Sequence, residues 1–149
     1  MTPFHQAVTL TQNLHHTMTI IQQIINGLHQ LTTQLELNQT TTKVLPFIKK
    51  KHTLNSRQQF AQVASYSDAL ERGLGQIAQH MLTCQQCVHL LEAMDTDSFS
   101  DADPLLLVQH TDAVQLNVEA YYTLEHTVNA LSHELRQRLS NMKQQLLPK

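Results

Sequence analysis

The chain has 149 residues, of which 41% are hydrophobic and only 5% aromatic, with no Trp, three Gly and four Pro. That is enough for one domain with an aliphatic core, and too few turn residues for a sandwich or barrel, which needs a turn about every 8–12 residues. A net charge of −2, with only 15% charged residues, excludes the basic excess expected of a general nucleic-acid binder.

The first periodic segment carries Phe4, Ala7, Leu14, Met18, Ile21, Ile25, Leu28 and Leu35 on one stripe. Alternating spacings of three and four residues mark a helix that buries a narrow seam against other helices. The pattern predicts a helix over Pro3–Leu37. Thr2 suits the N-cap, and Pro3 suits the first helical position, where its missing N–H costs nothing. Asn38-Gln39 and the β-branched Thr40-Thr41-Thr42 are expected to end it.

Residues 39–55 form the longest connection. Val44, Leu45, Phe47 and Ile48 around Pro46 predict one short helical turn capping the bundle. Lys49, Lys50 and Lys51 would then complement the negative end of its dipole.

The second stripe is Phe60, Val63, Leu70, Leu74, Ile77, Met81, Cys84, Val88 and Leu91, in a helix predicted over Ser56–Met94. Ser56 and Gln59 read as a capping box. Gly73 and Gly75 each cost about 1 kcal/mol relative to Ala, but the stripe keeps its phase across them. A continuous helix is expected, with a break there, giving four helices, as the alternative.

Asp95–Asp103 reads as a turn. Its acids lack the Gly and Glu of a calcium-binding EF-hand loop and are better explained as caps. Asp103-Pro104 then opens a third helix, predicted to reach Leu146. Its stripe is Leu107, Val114, Val118, Tyr121, Val128, Leu135, Leu139, Met142 and Leu146. The expected fold is all-α: one domain over residues 1–149, an elongated up-down-up bundle of three long helices.

Polar residues interrupt these seams at Thr11, Thr32, Ser67, Thr111, Ser132 and Glu125. Such positions fix register or choice of partner at some cost in stability. The seam flanks are mostly neutral, so partner binding is expected to be driven by apolar contact and to tolerate salt.

The functional expectation is a non-enzymatic interaction module, an adaptor, chaperone or assembly subunit. It would hold a partner helix or a second copy of itself through Leu116, Tyr121, Tyr122, Leu124 and Glu125. One alternative is a zinc- or copper-binding bundle. His80, Cys84 and Cys87 share a helix face, and counting along the helices places His110 and His15 nearby, a donor set both metals accept. A second alternative is pH-responsive assembly, because protonating the ten His would carry the charge from −2 to +8. The opening MTPFHQAV has no signal-peptide pattern, and no apolar run approaches the ~18 residues of a membrane span, so a cytoplasmic protein is expected.

Overall fold

In a computed structural model, the backbone is described for residues 2–44, 56–100 and 102–146, and side chains for residues 2–39, 57–100 and 102–146. The described chain forms three long helices, α1 (Pro3–Val44), α2 (Ser56–Ala93) and α3 (Pro104–Leu146), with a short 3-10 helix over Thr96–Phe99 before α3. No described residue lies in a strand. The extra turn around Pro46 and the Lys49–Lys51 run lie outside the described residues, as does the Ser56 side chain of the expected capping box.

Local chemistry explains the helix ends. The His5 N–H donates to Thr2 Oγ1 (3.1 Å), which caps α1. Asp95 Oδ1 accepts from the Asp97 N–H (3.0 Å) at the start of the 3-10 turn, and Asp103 Oδ1 accepts from the Leu105 N–H (3.0 Å) at the start of α3. α1 continues past the threonine run expected to end it. Each Thr costs a helix only a few tenths of a kcal/mol, and burial of Gln39 ties that stretch to the core. α2 is unbroken at its glycines. A Cβ added to Gly73 would stand 2.9 Å from Leu28 Cδ2, whereas one on Gly75 would meet nothing within 4 Å. Gly73 therefore lets α2 approach α1 closely, and Gly75 has no such role.

Packing divides the chain into two compact units. Unit 1 comprises Met1–Gln23 and Ile77–Val128, and unit 2 comprises Ile24–Gln76 and Asn129–Lys149. In each, α2 runs antiparallel to α1 and α3. The core of unit 1 contains Leu14, Ile21, Ile77, Cys84, Val88 and Tyr121, all fully or almost fully buried. In unit 2 the corresponding residues are Leu28, Tyr66, Leu70, Leu131, Leu135 and Met142.

Unit 2 also buries a polar pair. Thr32 Oγ1 donates its one proton to the Leu28 carbonyl (2.6 Å), so its hydrogen bond with the Tyr66 hydroxyl has Tyr66 as donor. Both residues are almost wholly buried. A one-turn slip of α1 against α2 would strand the buried Tyr66 hydroxyl, while Thr32 would keep its bond to Leu28, so this pair favours the observed register.

Candidate functional site

The seam of α3 is not covered along its whole length. In unit 2, Leu135, Leu139 and Met142 are buried; in unit 1, Leu107, Val114 and Val118 remain partly exposed. They belong to the same stripe, yet α1 and α2 do not close over them. The result is a groove of about 290 Å³ whose floor and walls include Ala7, Leu91, Met94, Phe99, Val114 and Val118. Glu92, Thr96, Thr111 and Gln115 add polar edges.

One end of the groove is closed by aromatic rings. Phe4 of α1, Phe99 of the 3-10 turn and His110 of α3 meet edge to face, with centroids 5.2 to 6.0 Å apart. Burial lowers the pKa of His110 below the ordinary imidazole value, so the ring is kept neutral among its aromatic neighbours. Farther along, Tyr122 Oη donates to Glu92 Oε1 (2.9 Å), linking α3 to α2 beside the groove. Helical side chains lean toward their own N-terminus, so on antiparallel helices these two lean toward each other and span the gap. Leu105, Leu106, Val108 and Leu116 of α3 are exposed outside the groove lining.

The five residues predicted to meet a partner are separated by the fold. Leu116 (69% exposed) and Tyr122 (45%) are accessible. Tyr121 and Leu124 are buried within unit 1, at 3% and 8%. The Tyr121 hydroxyl donates to the Glu125 carboxylate (3.0 Å), so the polar seam position at Glu125 has a partner in its own helix. Burial, reinforced by that carboxylate, pushes the Tyr121 phenol up to about 12. Of the polar seam residues, Thr11 and Thr32 are buried, whereas Thr111 is exposed on the groove edge.

The residues predicted to hold a metal occupy different environments. Cys84 and Cys87 are buried free thiols, and burial raises the pKa of both, Cys84 to about 11. His110 lines the groove with Leu91 and Met94, near the end of α2. His15 is exposed. Its Nδ1 donates to Asn117 Oδ1 (3.3 Å), while Asn117 Nδ2 donates to the Ala113 carbonyl. His80 is half-buried. Among the described residues, no three His, Cys, Asp or Glu side chains gather as a metal site would require. None of the described helices is long and apolar enough to cross a membrane.

Sequence reasoning found Val114, Val118 and Leu91 as seam residues but not as groove lining. Only the packing reveals that their seam is left open. Comparison with protein-family models, with curated proteins and with solved structures yields no significant match to this chain.

Proposed function

We propose that the protein is a non-enzymatic helical interaction module that holds a partner in the unit 1 groove. The observation that carries this reading is the partly exposed α3 seam at Val114 and Val118, which walls an apolar groove. A seam that α1 and α2 leave open offers apolar area that a third surface can remove from water, at roughly 25 cal/mol per Å². The reading also fits the side chains that might otherwise do chemistry. The two thiols are buried and protonated, and His110 is neutral and enclosed by rings.

The test places a photo-crosslinking residue at Gln115 on the groove edge or at Ser140 in unit 2, in protein returned to its native lysate. The expected result is a discrete adduct from position 115 that Val114→Gln and Val118→Gln abolish, with none from position 140. Adducts indifferent to both groove variants would end the proposal.

A further inference from the structure

The whole-chain charge of −2 conceals a segregation. Residues 1–23 and 77–128, which make up unit 1, contain eight carboxylates and no Lys or Arg. All ten Lys and Arg lie in residues 24–76 and 129–149, with only four carboxylates. Formal side-chain charge is therefore −8 in unit 1 and +6 in unit 2, with His neutral.

One carboxylate of unit 1 lines the groove, and others stand on the elements that build it. Glu92 stands on its wall, and Asp95 and Asp97 belong to the cap and turn that carry Phe99. Glu119 is exposed one turn beyond the edge residue Gln115, whereas Asp112, two residues from Val114, is exposed on the other side of α3. Their hydrogen-bond donors are neutral. The Tyr122 hydroxyl serves Glu92, the Asp97 N–H serves Asp95, and the Gln115 amide serves Glu119 (3.3 Å). These contacts leave the full negative charge in place. In unit 2, by contrast, Arg138 pairs with Glu36 and Glu134, and Arg136 pairs with Glu71.

We propose that the groove receives a basic amphipathic helix, with an apolar ridge seated between α2 and α3 and Lys or Arg side chains reaching the carboxylates at the rim. This inference rests on the reading of the groove as a partner site and adds the chemistry of the partner. A trough between two antiparallel helices matches a helical ridge of residues spaced i, i+3 and i+4. Lys and Arg stems lie along apolar walls while their charged ends reach outward. The uncompensated field of unit 1 attracts such a helix and repels nucleic acid and anionic membranes. It also replaces the salt tolerance expected from the neutral seam flanks. Docking on unit 1 is salt-sensitive, because its rim carries one sign of charge.

The test uses the full chain and three fluorescent helical peptides with the same leucine ridge and polar faces of lysine, glutamine or glutamate. At about 50 mM salt the lysine peptide is expected to bind at least about tenfold more tightly than the glutamine peptide, with the glutamate peptide weakest; tenfold corresponds to about 1.4 kcal/mol. The difference should shrink severalfold at about 500 mM salt, beyond which exposed charges are largely screened. Val114→Gln and Val118→Gln should weaken both the lysine and glutamine peptides, while Glu92→Gln with Glu119→Gln weakens only the lysine peptide. Helix content is checked by circular dichroism for each variant. Equal binding of lysine and glutamine peptides, both lost in the valine variants, overturns the basic partner and leaves the groove reading intact. Lysine-peptide binding indifferent to both valine variants overturns the two together. Self-association of the chain that excess lysine peptide fails to dissolve makes a second copy the occupant and overturns the proposal.

Discussion

The two units are built from the same three helices and differ in what they leave unfinished. In unit 2 the α3 seam is buried at Leu135, Leu139 and Met142, Thr32 and Tyr66 satisfy each other, and Arg136 and Arg138 pair with carboxylates. In unit 1 the α3 seam is only partly covered at Val114 and Val118, and no lysine or arginine offsets the acids. Unit 2 also has a groove, of about 540 Å³, but its lining holds both Asp68 and Lys143, so it selects no sign of charge. Groove volume alone therefore does not distinguish a partner site. Among the described residues, unit 1 combines an open apolar seam with acids that no lysine or arginine offsets, and the proposal rests on that combination.

The largest expected effects test whether both cores are equally well packed. Leu14→Ala in unit 1 and Leu135→Ala in unit 2 each truncate a side chain with no exposed area. Each should cost about 2–5 kcal/mol in chemical denaturation. Val114→Ala on the groove wall should cost markedly less, because its side chain is already partly in water. A wall variant as costly as the core variants would mean that the groove is closed in solution.

Next comes the polar pair peculiar to unit 2. Tyr66→Phe leaves Thr32 without its donor and should cost about 1 kcal/mol. Thr32→Val should cost at least as much, because it leaves the Tyr66 hydroxyl buried and unpaired. If both variants melt like the parent protein, the pair does not favour the observed register.

The glycines provide a finer test. Gly75→Ala should stabilise the protein by about 1 kcal/mol, since a helix-interior glycine is replaced where space is open. Gly73→Ala should gain less or lose stability, because Leu28 must move. Equal gains would show that the approach of α2 to α1 does not depend on Gly73.

The smallest effect concerns pH. Burial lowers the pKa of His110, so the fold favours the neutral ring. Its contribution is fully present above the ordinary imidazole pKa and is lost as pH falls through the lower folded value. Denaturation midpoints of the parent and His110→Phe should differ progressively between pH 7 and pH 5, with the parent losing more stability. Parallel pH profiles would remove His110 as a cause. On the alkaline side, raised pKa values hold Cys84 and Cys87 as thiols, so both should resist a thiol reagent at pH 8 until the chain is unfolded.

Much of the fold was legible because spacing alone determines which residues a helix can bury. From Ala7 to Leu35, every residue of the first stripe is buried, and the Thr2 and Asp103 caps follow from residue type at a helix start. Phe60, though on the second stripe, is 52% exposed, because periodicity names a face without saying whether another element covers it. The same ambiguity hid the groove, since Val114 and Leu135 occupy equivalent stripe positions with different neighbours. Counting along the helices puts His110 near Cys84 and Cys87, but it lines the groove with Met94 and packs against Phe4 and Phe99. The charge segregation is present in the sequence, but it becomes visible only when packing groups residues 1–23 with 77–128.

Mapping methyl shifts of the full chain by NMR as the lysine-faced peptide is added tests the central claim most directly. Changes centred on Ala7, Leu91, Val114 and Val118, fading as salt is raised, are the predicted result. Changes centred on Val63 and Leu146 of unit 2, or none at either groove, would contradict it.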